Sequence, residues 1–426
     1  MKSNEVNILF IYPKPKLQKK IRYGFSLNIA YSSALLKQYG YNTFFRDLSC
    51  NDMSMMDVLK FIDNNNISII AIEFDSFALK RSDNSMSGRE ILRVVKSSFP
   101  NIKTIAFGYE CIMERKPVSC ADITIIDDVL GSIISAVKHL LSGSFNYTYC
   151  FYKFDDLPFP DRSLIETESY YKEHNYCTLI QTSRGCLNSC SFCQRRGWQQ
   201  SRDEHNLQYV LDEFRHIKEN QYKNIWIVDE NFTYNISRAK DILWHLSHEN
   251  LTDGMKIAIS SWSRIDKDFL KLAHAANIKI ISMGIESANI DTLRFFKKTI
   301  DLKDVKEIVS FANKLGIYMV GNFIIGAPNE HISDIENTFA YIKQLELDQV
   351  NIKVLDYMIG SILYEQLDKS HYTKNHYFSC KETGLGLIEI EKLKKMKNDF
   401  LKNFYEGNRS RIINKINKFG PPYYPM

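Results

Sequence analysis

Short apolar runs and longer amphipathic stretches take turns along this chain. NILFIYP (Asn7–Pro13), ISIIAIEF (Ile67–Phe74) and KTIAFG (Lys103–Gly108) show little polar alternation, the pattern of parallel strands buried on both faces. NIAYSSALLKQYG (Asn28–Gly40), GREILRVVKSSF and GSIISAVKHLL lie between and after them with helical periodicity, the first closed by a glycine. The alternation predicts a doubly wound, Rossmann-like α/β domain over residues 1–145. FDDLPFPDRS (Phe154–Ser163) then interrupts with two prolines and three aspartates. Residues before proline avoid the helical region, so an extended linker is expected over 146–176.

A second alternating series opens at Cys177, where CTLIQTSRG reads as a strand running into a loop. The helix NLQYVLDEFRHIKEN follows, with Val210, Phe214 and Ile217 on one face. NIWIVDE, KIAISSWSR, KIISMGIES, YMVGNFIIGAP and QVNIKVLDY continue the strands, with helices such as DFLKLAHAAN, LKDVKEIVSFANKLG and ISDIENTFAYIKQLE between them. Six strand–helix units of this size predict a partial (β/α)6 TIM-type barrel over 177–360. Chemistry in such barrels sits at the C-terminal strand ends. The DEN, SR, ES and GAPNE segments and the loop after Cys177 all follow directly on strands. A helical C-terminal appendage, 361–426, carries one amphipathic helix from Ile388 to Phe404.

Composition narrows the class rather than the function. With 44% hydrophobic and 25% charged residues, the chain has apolar material for two or three globular domains. No window approaches the run of about 18 apolar residues that a membrane span requires. The N-terminus lacks a signal-peptide pattern, so no membrane and a cytoplasmic location are expected. Net charge is +5, and the basic run near the C-terminus is interleaved with carboxylates and asparagine. That reads as a solvated helix face, not a nucleic-acid surface. Lone histidines such as His174, His205 and His331 read as surface or packing residues, and the many aromatics mostly as core.

Six of the nine cysteines lie far apart and read as reduced, buried apolar residues. The other three, Cys186, Cys190 and Cys193 in TSRGCLNSCSFCQ, crowd into one loop with C-x3-C-x2-C spacing. Zinc sites usually pair two C-x2-C arms or complete the set with histidine, and no second arm is present; a damaged zinc site stays as the alternative. Three thiolates can hold three corners of a cubane iron–sulfur cluster and leave the fourth iron open for chemistry.

With the aromatic Phe192 just before the last cysteine, this motif resembles the signature of the radical S-adenosylmethionine superfamily. The resemblance spans roughly residues 150–410. It implies a 4Fe-4S cluster on Cys186, Cys190 and Cys193, with S-adenosylmethionine chelating the open iron. Cleavage of the sulfonium by one electron, drawn from an external flavodoxin- or ferredoxin-type donor, would yield a 5′-deoxyadenosyl radical. Asp229, Glu230 and Asn231 would stand where the family holds the methionyl amino group. Arg264 would face the methionyl carboxylate, and Glu286 and Ser287 the ribose hydroxyls. Gly326 and the Phe192 backbone would approach the adenine. Each carboxylate could instead be a solvated loop residue or helix cap, and Arg264 a structural ion-pair member.

The N-terminal domain, linker and barrel together are similar to the cobalamin-binding subgroup of that superfamily, and the resemblance makes the first domain cobalamin-binding-like. Most members with that architecture transfer a methyl group, so cobalamin-dependent methylation of an unactivated carbon of a small molecule is the implied activity. Gly108 stands near where the family brings backbone to the corrin, although its usual glycine pair is here AFGYECI and the later turn IIDDVLG. Residues 1–150 contain no D-x-H-x-x-G motif for a histidine lower ligand. The long polar loop DSFALKRSDNSMSG could line a ligand. Two alternatives stay open. One is cobalamin-independent radical dehydration, epimerisation or rearrangement of a sugar-like metabolite; the other is a non-catalytic metal-binding protein.

Overall fold

The computed structural model describes residues 6–14, 25–48, 53–74, 83–143, 153–166, 177–197, 201–262, 264–368 and 376–421. Most of the loop DSFALKRSDNSMSG, His174 and parts of the expected linker lie outside the described residues. The chain divides into two compact units, Met1–Thr178 and Leu179–Met426. Both are α/β, with parallel sheets flanked by helices.

In the first unit, β1 (Asn7–Tyr12), β2 (Asn42–Asp47), β3 (Ile67–Glu73), β4 (Lys103–Phe107) and β5 (Ile123–Thr124) form one sheet in the order β2-β1-β3-β4-β5. All four pairings are parallel. Strands β1, β3 and β4 are almost wholly buried, as expected for strands covered by helices on both faces. The pattern of apolar runs does not reveal β2, whose sequence NTFFRD is two-thirds polar because it lies at the sheet edge, partly exposed. The order reverses between β1 and β3, where open α/β sheets place their ligand crevice.

Local signals set the helix ends. Ser26 accepts from Ile29 N–H at the start of helix Leu27–Gln38, and Gly40 follows its end at φ 80°. Gly108 has a different task. Its φ is 114°, and a Cβ there would lie 2.6 Å from the Phe74 carbonyl oxygen. The ends of β3 and β4 are drawn together by Phe74 N–H donating to Phe107 O (2.7 Å) and Glu110 N–H donating to Phe74 O (3.1 Å). Only glycine permits that approach. The described part of the proline-rich segment is fastened to the first helix. Asp161 accepts from Ser33 Oγ and pairs with Lys37 Nζ, each at 2.6 Å.

In the second unit, β6 (Thr178–Ile180) is followed by the short antiparallel pair β7 (Ser183–Arg184) and β8 (Asp203–Glu204). Then come β9 (Asn224–Ile227), β10 (Lys256–Trp262), β11 (Ile278–Glu286), β12 (Tyr318–Ile325) and β13 (Gln349–Val354). They join β6 in a six-stranded sheet, β13-β12-β11-β10-β9-β6, with every pairing from β9 to β13 parallel. Alternate residues divide this sheet in two. Ile257, Ile259, Ile281, Met283, Met319, Phe323, Val350 and Ile352 join the helices in the main core. On the other face, Trp226, Ala258, Ile280, Tyr318 and Val320 form a small apolar cluster towards the N-terminal strand ends. Gly284, Asn322 and Asn351 share one level nearer the C-terminal ends, with Trp262 paired to Gly284.

The last helix, Ile390–Phe419, is nearly twice as long as its apolar pattern suggests. Leu393, Phe400 and Phe404 bury the first half. Beyond Phe404 polar anchoring takes over: Lys415 Nζ binds Asp348 Oδ2 at 2.6 Å and Ile317 O at 2.8 Å, and Arg411 meets Asp348 Oδ1 at 3.1 Å. Among the described residues no helix is long and apolar enough to cross a membrane.

Candidate active site

The cysteine loop leaves β7 and returns at β8, so the antiparallel pair closes it like a clasp. Asp229, just after β9, anchors the clasp from beneath. It accepts from Thr182 N–H (2.7 Å), Thr182 Oγ1 (2.6 Å) and Ser183 Oγ (2.6 Å). Burial pushes the Asp229 carboxyl above its ordinary range, against these hydrogen bonds and the nearby Arg238. Arg238 itself donates to the carbonyls of Thr182 and His205, tying both strands of the clasp to the helix Ile236–His248.

At its far end the loop rests on the segment after β11. Ser191 N–H donates to Phe296 O (3.2 Å) and Ser191 Oγ to Phe295 O (2.9 Å), while Leu363 N–H donates to Ser191 O (3.1 Å). Phe192 packs edge-on to Phe296, with centroids 5.2 Å apart.

All three loop cysteines are partly exposed. Burial pushes the Cys190 thiol up to about 12, opposed by the positive charge of Lys298, and Cys193 shifts the same way against Arg195. Among the described residues no three His, Cys, Asp or Glu side chains converge on a single ion. A cubane takes one thiolate per iron, and the C-x3-C-x2-C loop offers three.

The strand-end residues divide by what they already hold. Glu230 is committed to the loop: one oxygen accepts from Gly185 N–H at 2.8 Å and the other pairs with Arg195 at 2.8 Å. Asn231 is buried, its carbonyl accepting from Trp262 N–H and Thr233 Oγ1, both at 3.1 Å. Ser287 is fully buried, and its Oγ accepts from Asn289 N–H at 3.0 Å to start the next helix. Arg264 stands exposed beyond β10, its guanidinium 5.4 Å from the Trp262 ring centroid. Gly326, at φ 88°, ends β12, and its N–H donates to the buried Glu330 carboxylate. Gly108 belongs to the first unit, where its described role is the close approach of β3 and β4.

Glu286 is different. Its φ of 71° is rare for a residue with a side chain, and it sits at a register shift between β11 and β12. The bulge turns its carboxylate over Gly284, where Lys298 Nζ meets Oε1 at 2.8 Å. Motif position nominates neither Lys298 nor Arg195, whereas Glu330 closes the GAPNE segment after β12. Lys298 lies in the unremarkable run RFFKKTI, and nothing in that pattern separates it from Lys297. Arg195 sits two residues beyond the last cysteine, where a basic residue facing Glu230 was the available clue.

Residues 180–342 match the model of the Radical SAM superfamily. The chain is similar to an uncharacterised methyltransferase of Pyrococcus horikoshii, 29% identical over 220 residues that cover 50% of this chain and 46% of the relative. It is also similar to the cytidylyl-2-hydroxyethylphosphonate methyltransferase of Streptomyces wedmorensis, 24% identical over 230 residues covering 50% and 43%. The chain thus spans less than half the length of these two relatives. Among solved structures it resembles the radical S-adenosylmethionine methyltransferase TsrM of Kitasatospora setae, determined with cobalamin and a [4Fe-4S] cluster bound. That likeness has a TM-score of 0.68 at 13% identity, covers 84% of this chain and 76% of TsrM, and shows a shared fold.

Proposed function

Because residues 180–342 belong to the radical S-adenosylmethionine superfamily, we propose that this chain cleaves S-adenosylmethionine reductively and methylates an unactivated carbon of a small molecule with the help of cobalamin. One observation carries the reading. The loop bearing Cys186, Cys190 and Cys193 is clasped at the C-terminal end of a parallel sheet, with the Glu286–Lys298 pair at the end of β11 in that sheet. A bound 4Fe-4S cluster would supply one electron to the sulfonium of S-adenosylmethionine, releasing methionine and a 5′-deoxyadenosyl radical that removes hydrogen from the substrate.

The protein's own residues have separable tasks. The three cysteines would hold the cluster, and Asp229, Glu230 and Arg195 keep their loop in place. Glu286 would meet the ribose hydroxyls, and the exposed Arg264 is free to reach a carboxylate. The Phe192 backbone and Gly326 would flank the adenine. The six-stranded sheet is read as a partial barrel enclosing this site, residues 146–176 as the segment joining it to the first domain, and 361–426 as its appendage.

The first unit would hold cobalamin at the switch point between β1 and β3. The one histidine of residues 1–150 is His139, on the helix Val129–Ser142. The methyltransferase names of the relatives and the cobalamin in TsrM support this reading. A flavodoxin- or ferredoxin-type protein would deliver the electron.

The test is anaerobic purification, reconstitution with iron, sulfide and hydroxocobalamin, and desalting, followed by metal analysis and a visible spectrum. About four irons per chain with one cobalt supports the proposal. Iron without cobalt removes cobalamin from it, and protein that keeps its cluster yet cannot cleave S-adenosylmethionine under strong reductant overturns it.

A further inference from the structure

The pair formed by Glu286 and Lys298 is buried on the sheet face turned away from the helices, with side chains only 9% and 4% exposed. Lys298 Nζ donates to Gly284 O at 2.7 Å and to Glu286 Oε1 at 2.8 Å. It also lies 5.1 Å from the Trp262 ring centroid. An ammonium with two fixed acceptors and an aromatic face beside it has little freedom to wander. The glutamate is therefore held by its partner as well as by its own backbone. Its second oxygen has no protein donor among the described residues.

A further observation places the pair beside the cysteine loop. The segment leading into Lys298 carries that loop, through the Ser191 bonds to Phe295 and Phe296. A buried ion pair is weak evidence for stability, because desolvation offsets most of the attraction. A pair kept beside a reactive loop, on a residue with φ 71°, calls for another reason.

We propose that Lys298 is a positioning residue for S-adenosylmethionine: its ammonium pins one oxygen of Glu286 so that the other is presented to the nucleoside hydroxyls. The inference rests on the reading of the site given above. Lys298 acts through Glu286, not on the ligand. Removing its charge leaves Glu286 buried without its counter-ion, and the carboxylate then loses its aim. Removing both charges leaves two neutral side chains of similar volume, which a buried site tolerates.

The test uses the reconstituted full chain as wild type, Lys298→Met, Glu286→Gln and the double variant. Iron content and the reduced-cluster electron paramagnetic resonance spectrum are recorded first, without S-adenosylmethionine. Its affinity is then measured from the spectral change on addition, with 5′-deoxyadenosine yield as a second readout. We expect all four proteins to keep the cluster spectrum. Lys298→Met should bind S-adenosylmethionine at least tenfold more weakly, and the double variant no more weakly than Glu286→Gln. Should Lys298→Met misfold, the double variant compared with Glu286→Gln still decides. Equal affinity in Lys298→Met and wild type overturns the proposal, as does a double variant whose losses multiply. Wild-type protein that holds its cluster but shows no response to S-adenosylmethionine overturns the underlying reading, and the proposal with it.

Discussion

Gly284→Ala is the smallest change that probes how the Glu286–Lys298 pair is seated. No unusual φ demands glycine here, so an added methyl group meets side chains rather than a backbone obstacle. Its Cβ would lie 2.6 Å from Glu286 Oε1 and 2.9 Å from Lys298 Nζ, where ordinary contact begins at 3.4 Å. Both groups must retreat by several tenths of an ångström, yet each holds the other, and Lys298 also holds the Gly284 carbonyl. Overpacking of this kind costs about 1–3 kcal/mol. Loss of one partner of a buried pair, about 3–5 kcal/mol, sets the upper bound. In urea titrations followed by circular dichroism, the second unit should unfold with an unchanged slope and a midpoint lower by roughly 1 M. Affinity for S-adenosylmethionine should fall with it. An unchanged midpoint would mean that the pair is not seated over Gly284. A lowered midpoint with full affinity would separate the seat from ligand binding.

Cys190→Ala should drop the reconstituted iron content well below about four per chain and abolish 5′-deoxyadenosine formation while leaving the circular dichroism spectrum intact. Asp348→Ala leaves Lys415 buried without its carboxylate and strips Met319 N–H of its acceptor, so urea unfolding should register a loss of about 3–5 kcal/mol. Adding Lys415→Met should recover much of it. Burial raises the Glu330 carboxyl from 4.5 to about 7, so between those values the folded state keeps a proton that the unfolded chain releases. Its contribution is complete below pH 4.5 and is lost as pH rises to 7, a change of about 3 kcal/mol. Glu330→Gln should flatten that part of the pH dependence of the urea midpoint, and an unaltered profile would place the titration elsewhere.

The parts that could be read from the chain alone are those whose chemistry is local. Cys186, Cys190 and Cys193 crowd into eight consecutive residues, so they declare themselves as a candidate ligand set by spacing alone. Strands covered on both faces become unbroken apolar runs, which is why β1, β3 and β4 are plain while the edge strand β2 is not. The last helix shows the complementary failure. Its apolar stripe stops near Phe404, but the helix runs on because Arg411 and Lys415 find Asp348, more than sixty residues away in sequence. No periodicity carries such a signal.

The strand-end polar residues expose a subtler limit. Motif position nominates Asp229, Glu230, Asn231, Glu286 and Ser287 alike, yet hydrogen-bonding capacity separates them. Asp229 and Glu230 each have both oxygens engaged in holding the cysteine loop. Asn231 and Ser287 accept from nearby backbone N–H groups and are buried. Glu286 has one oxygen committed to Lys298, and a backbone bulge aims the whole group. A ligand can be recognised only through valences that the fold has not already used. The division of labour at this site therefore turns on a bulge and a lysine twelve residues apart, neither of which has a sequence signature.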